Sequence, residues 1–110
     1  RAEMAVCLEL VEQQVDRFIH WRQSLYAEPT IVSMTQEMNA IRERELEKTL
    51  AGLPDLTEKQ RAEVEYLTKR IVNNILQRPM SQIKQEVVKE DAGRVIHLVK
   101  RLFGLEESAG

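Results

Sequence analysis

The stretch Thr57-Glu58-Lys59-Gln60-Arg61-Ala62-Glu63-Val64-Glu65-Tyr66-Leu67-Thr68-Lys69-Arg70-Ile71-Val72-Asn73-Asn74-Ile75-Leu76-Gln77-Arg78-Pro79 decides the fold class. It opens on a capping box, in which the Thr57 hydroxyl takes the Gln60 backbone N–H and the Gln60 side chain takes the Thr57 N–H. Two donors that a helix start would otherwise leave orphaned are satisfied reciprocally. Val64, Leu67, Ile71, Val72, Ile75 and Leu76 then recur at three- and four-residue steps, the period of a helix. Pro79 predicts its end, because proline brings no backbone donor and crowds the preceding turn.

Reading outward gives more helices and no strand, since no stretch alternates apolar and polar residues for long. Downstream, Ile83, Val87 and Val88 predict a short helix over 81–89. Val95, Leu98, Val99 and Leu102 predict another over 91–103, with Lys100 and Arg101 favourably set against its C-terminal dipole and Gly104 at its end. Residues 106–110 read as a frayed tail. Upstream, Met4, Leu8, Val11, Val15, Phe18 and Leu25 keep alternating four- and three-residue steps, interrupted by Arg22 and widened by Cys7, Ile19 and Trp21. They predict a helix over 2–26, about 37 Å long, which outreaches a compact globule of radius near 13 Å. A second helix is expected to start at Pro29, where the first turn needs no donor, and to end at Gly52 in a left-handed residue. Its apolar edge drifts from Ile31, Met34, Met38 and Ile41 to Leu46, Leu50 and Leu53, as if its two ends meet different neighbours. The expected fold is all-α: a small bundle of about five helices with a long N-terminal helix.

Composition agrees with one ordinary folded domain. The 110 residues carry 16 Lys plus Arg against 18 Asp plus Glu, 43% hydrophobic and 31% charged residues. No apolar run approaches the ~20 residues of a membrane span, and no N-terminal segment has the layout of a signal peptide. One Cys forms no internal disulfide, which suits a reducing, cytoplasmic setting. Charge is uneven along the chain: residues 1–55 hold 6 basic and 10 acidic groups, residues 56–103 hold 10 and 6. Solvated helix faces explain this; so would electrostatic complementarity between subunits or a mildly basic surface for nucleic acid.

Catalytic equipment is sparse. Cys7 sits on an apolar stripe with Glu3 one turn back, a poor place to stabilise a thiolate. His20 and His97 stand apart from other ligand types at metal spacing. Glu43, Glu45 and Glu47 alternate around a helix, and no glycine-rich phosphate loop or Cys-x-x-Cys is present. Lys69, Arg70, Arg78 and Lys84 lack the interleaved aromatics that stack on bases. No catalytic, cofactor-binding or metal-binding residue is expected. What remains is association: the apolar edges of the first two helices exceed what a core of this size needs, so they either pair within the chain or bury against a second copy.

Several segments in order resemble one family. Pro29-Thr30-Ile31 followed by Ile41-Arg42-Glu43-Arg44-Glu45-Leu46-Glu47-Lys48-Thr49-Leu50 is similar to the opening of the C-terminal dimerisation domain of glutamyl-tRNA reductase. Leu67-Thr68-Lys69-Arg70-Ile71-Val72-Asn73-Asn74-Ile75-Leu76 with Pro79-Met80 resembles its third-helix signature, and Leu102-Phe103-Gly104-Leu105 its ending. Val11-Glu12-Gln13-Gln14-Val15-Asp16-Arg17-Phe18 resembles the end of that family's long spinal helix. The resemblance covers nearly the whole chain. Gln77 stands where the family often has a His, and Asn74 where it often has a basic residue.

The resemblance implies a parent enzyme that reduces glutamyl-tRNA with NADPH to glutamate-1-semialdehyde, the first committed step of tetrapyrrole synthesis. Its thioester-forming Cys and its NADPH site belong to other domains, and Cys7 matches neither. The implied partner is a second copy, in a homodimer held by this domain, with no membrane. Residues 1–27 would end the connecting helix, 28–105 form the bundle and 106–110 the tail. Val11, Val15, Phe18, Ile31, Met34, Met38, Ile41, Val64, Leu67, Ile71 and Ile75 are expected in bundle core or dimer contact, undivided by sequence. Arg42 and Glu45 are placed to meet a partner subunit's charge, and Asn73 either bonds backbone in a turn before Pro79 or is exposed. The alternative is a free-standing helical adaptor or a weak nucleic-acid-binding bundle. Against it, the chain starts at Arg1 rather than Met, in mid-stripe, as an excised part would.

Overall fold

The computed structural model describes residues 2–89 and 91–105; the expected frayed tail, 106–110, lies outside the described residues. Three helices account for them: α1 (Ala2–Ala51), α2 (Glu58–Lys89) and α3 (Ala92–Phe103). No strand occurs among the described residues. The all-α expectation holds, with its long N-terminal helix, but there are three helices and not about five.

The difference lies at two prolines. Pro29 is inside α1 and Pro79 inside α2, so neither starts nor ends a helix. Each lacks an N–H, leaving the carbonyl four residues earlier (Leu25, Ile75) without its helical donor, and an interior proline costs about 3 kcal/mol. Packing overrides that cost. Ala27, Thr30, Ile31 and Met34 are buried at i, i+3, i+4 and i+7 directly across Pro29, a face that only a continuous helix keeps together. Leu76 and Ile83 are buried on either side of Pro79, with Met80 packed against them. Asn73 therefore lies within α2, exposed, and no turn precedes Pro79.

The other local signals fall as expected, with one exception. Gln60 N–H donates to Thr57 Oγ1 at 3.1 Å and Thr57 N–H to Gln60 Oε1 at 2.9 Å, completing the capping box of α2. Asp91 caps α3 through Oδ1, which accepts from Gly93 N–H at 3.0 Å. Gly104 closes α3 with φ 63° and ψ 35°, the left-handed geometry that glycine adopts without a Cβ penalty. Gly52 does not do the same at the end of α1. There the chain tightens instead: Gly52 N–H reaches Thr49 O and Leu53 N–H reaches Leu50 O, both at 3.1 Å, so two of the last carbonyls are satisfied with no reversal of φ.

The core sits where the three helices meet. Ala27, Ile31 and Met34 of α1 pack with Leu76, Ile83 and Val87 of α2 and Val99 of α3. Ala92, Val95, Ile96 and Phe103 complete the inward stripe of α3. The molecule measures 78 × 32 × 18 Å with a radius of gyration of 20.9 Å, against about 13 Å for a compact chain of this length. Fifty residues of helix make about 75 Å, so α1 alone sets the long dimension. On one side of the core its residues 2–26 project; on the other, α1 and α2 run back to back to the turn at 52–57.

Candidate dimer interface

The accessible surface is 8916 Å². A compact monomer of 12.8 kDa exposes about 6,300 Å², so this chain shows about 2,600 Å² more. Large apolar side chains stand exposed along the chain, and two places concern association.

One is the projecting arm of α1. Every residue from Ala2 to Arg22 is exposed, including Val11, Val15 and Phe18, which the heptad pattern singled out; the Phe18 ring lies beside Trp21, centroids 5.9 Å apart. At 3.6 residues per turn this stripe lies about half a turn round the helix from Ile31. The stripe is thus not the core face continued. Cys7 is exposed within it.

The other is a groove of about 310 Å³ between α1 and α2, lined by Met38, Ile41, Arg42 and Glu45 on one wall and Thr68, Ile71, Val72, Ile75 and Leu76 on the other. Its spacings, 38/41/42/45 and 68/71/72/75/76, are those of single helix faces. Met38, Val72 and Leu76 connect its floor to the core. Ile41, Ile71 and Ile75 rise above them, 39%, 49% and 62% exposed.

The sequence-predicted residues therefore separate into groups. Ile31 and Met34 are buried in the core and Met38 packs against it. Ile41, Ile71 and Ile75 share the groove with Met38. Leu67 is exposed and Val64 half-buried on α2, nearer the turn, and Val11, Val15 and Phe18 belong to the distant arm. The sequence placed Arg42 and Glu45 to meet a partner subunit's charge, and both line the groove; what it did not show is how deeply Arg42 is held. Arg42 is only 8% exposed; its Nε donates to Asn39 Oδ1 at 3.0 Å, Asn39 Nδ2 donates to Thr35 O at 3.1 Å, and the Thr35 hydroxyl lies 3.9 Å from Met80 Sδ. The guanidinium is tied to the core edge through this chain.

Among the described residues, the three ion pairs each lie within one helix: Arg42–Glu43, Lys48–Glu45 and Lys69–Glu65, at 3.4, 3.7 and 3.4 Å. Their Glu and Lys members are largely solvent-exposed, so they contribute little to stability. Arg70 stacks over the Tyr66 ring at 5.0 Å. Among the described residues no group of three or more His, Cys, Asp or Glu is placed to hold a metal ion, and no helix is long and apolar enough to cross a membrane. What this surface can do chemically is associate: an apolar groove, open along its length, with one anchored cation in its wall.

Comparison with known proteins points the same way. Residues 7–105 match the family model for the glutamyl-tRNAGlu reductase dimerisation domain. The glutamyl-tRNA reductase of Synechococcus sp. (strain JA-3-3Ab) is 39% identical over 108 residues, 96% of this chain and 25% of that protein. Those of Synechococcus elongatus and Syntrophotalea carbinolica are 41% and 40% identical, each over 88% of this chain and 22% of the relative. The chain thus spans about a quarter of the length of the curated relatives it matches. No solved structure gives a significant match.

Proposed function

This chain belongs to the glutamyl-tRNA reductase dimerisation-domain family, and from that membership we propose that it joins two copies of such an enzyme into a homodimer. On this reading the whole protein is an NADPH-dependent, cytoplasmic reductase that converts glutamyl-tRNA to glutamate-1-semialdehyde for tetrapyrrole synthesis. Residues 1–27 end the helix leading from its other domains, and 28–105 form the dimerising bundle. The observation that carries the proposal is the groove: Ile41, Ile71 and Ile75 stand open on the flank of a bundle whose own core is already filled.

The surplus surface supports the same reading. Obligate dimers bury about 2,000–5,000 Å² in total, or 1,000–2,500 Å² per partner, and a surplus of about 2,600 Å² supplies that. A dinucleotide is a poorer occupant. The groove walls are apolar, its single cation is held by Asn39 and Glu43, and no glycine-rich turn borders it to cradle a pyrophosphate. These residues do not fit NADPH, and the chemistry of reduction belongs to the remainder of the enzyme.

The test is the solution mass of the chain by sedimentation velocity over a dilution series. The expected result is a dimer that dissociates only on dilution. A strict monomer at high micromolar concentration overturns the proposal. Strongly salt-dependent binding of tRNA by a monomeric chain would instead favour a nucleic-acid-binding bundle.

A further inference from the structure

We propose that Arg42 is the electrostatic anchor of the dimer, pairing across the two-fold axis with Glu45 of the partner subunit; this rests on the dimer reading above. The first observation is a largely buried cation whose ion-pair partner is exposed. The Arg42 side chain is 8% exposed, yet the anion nearest it is Glu43, at 3.4 Å and 70% exposed. A guanidinium offers five N–H donors. Nε serves Asn39 and one Nη2 donor serves Glu43; no Arg42 nitrogen is both buried and unpartnered, so the remaining donors keep an edge in solvent, where a partner carboxylate can replace water. A charge this far out of water is retained at low cost only when it is paired and hydrogen-bonded.

The second observation is where Arg42 stands. It forms the wall of the apolar groove together with Glu45, one turn further along α1. The two are about 4.5 Å apart along the helix axis. In an isologous dimer, residue i of one copy meets residue j of the other and j meets i. A two-fold axis perpendicular to α1 and passing between positions 42 and 45 therefore sets each Arg42 opposite the other copy's Glu45, forming two pairs at once. The wall is self-complementary, and that selects a second copy of this chain as the occupant over an unrelated helix.

The neighbouring acids fit less well. Glu43 and Glu47 line the adjoining surface, which Arg42 also borders, with Leu46 and Leu50; they lie outside the apolar groove, and Glu65 is engaged by Lys69 on α2. Glu45 holds only Lys48, at 3.7 Å with both side chains exposed, a contact that is readily given up. Closing the dimer would bring Ile41, Ile71 and Ile75 around the two pairs, excluding water and strengthening them.

The experiment is a charge swap read in trans, by sedimentation of the 110-residue chain. Wild type, R42E, E45R and an equimolar mixture of the two variants are compared, with helicity followed by circular dichroism. Each variant alone places like charges opposite each other twice, and its dimer dissociation constant should rise about a hundredfold or more. The mixture restores both pairs. The carboxylate introduced at position 42 of one chain meets the guanidinium introduced at position 45 of the other, and the unchanged Arg42 and Glu45 meet at the second contact. A heterodimer near wild-type strength should form. An ion pair within one chain cannot produce that rescue. A wild-type dimer with no rescue in the mixture overturns the Arg42–Glu45 assignment and leaves the dimer reading standing; a monomeric wild type overturns both. If R42E fails to fold, the neutral variants R42Q and E45Q replace the swap. Non-additive effects on the dissociation constant support the pair, and additive effects overturn it.

Discussion

Replacing Ile71 by Asp sets a carboxylate in the groove while leaving the core untouched, since Ile71 is 49% exposed and outside the buried cluster. Fully burying an isoleucine is worth about 1.5–3 kcal/mol. Half of that is already realised within the chain, so a partner gains about 1 kcal/mol from each copy and about 2 kcal/mol from both. Losing it weakens the dimer about thirtyfold, at 1.4 kcal/mol per factor of ten. The aspartate adds the desolvation of two carboxylates, several kcal/mol each, which carries the increase in dissociation constant beyond about a thousandfold. The fold should survive, because Asp and Ile differ little in helix propensity and the half-burial lost within the chain costs only about 1 kcal/mol. Light scattering at high micromolar concentration should report half the wild-type mass, with the helical circular dichroism per residue retained. A dimer of wild-type strength refutes the assignment of this groove, and loss of helicity without dissociation would put Ile71 in the core instead.

Three further changes separate core, caps and prolines. Met34→Ala removes a side chain with no exposed surface and should cost about 2–5 kcal/mol, read as a lower urea midpoint at matched protein concentration. Thr57→Ala breaks the capping box and should cost about 1 kcal/mol, with hydrogen exchange rising first at the start of α2. Pro29→Ala restores a backbone donor to Leu25 at an exposed position. It should stabilise the chain by about 2 kcal/mol, the helix gain of about 3 less up to 1 of unfolded-chain entropy. A lower melting temperature for that variant would mean that α1 does not run unbroken through residue 29.

The sequence misleads where a local rule meets a tertiary one. Pro29 and Pro79 carry strong local signals for a break, yet 27/30/31/34 and 76/80/83/87 keep helical spacing straight across them. Weighing that spacing above the proline would have joined the pieces. Gly52 and Gly104 look alike as helix stops, but only Gly104 takes the left-handed conformation, because the tightened turn after α1 satisfies two of its last carbonyls another way. The drift of the apolar edge from Ile41 to Leu46 and Leu50 was legible, and those leucines line a surface adjoining the groove; the division within the first edge, with Ile31 and Met34 in the core and Ile41 in the groove, was not. Dividing core from groove was out of reach for sequence alone, since Ile71 and Val72 are equally apolar and adjacent, and only the docking of α1 decides which one turns inward. The burial of Arg42 was illegible for the same reason.

The central claim is that the α1–α2 groove is the face on which two copies meet. It is tested most directly by isotope-filtered methyl NMR on a dimer assembled from equal parts of labelled and unlabelled chain. Intermolecular contacts are expected from the methyl groups of Ile41, Ile71 and Ile75. Intermolecular contacts confined to Val11 and Val15 on the projecting arm would contradict the claim.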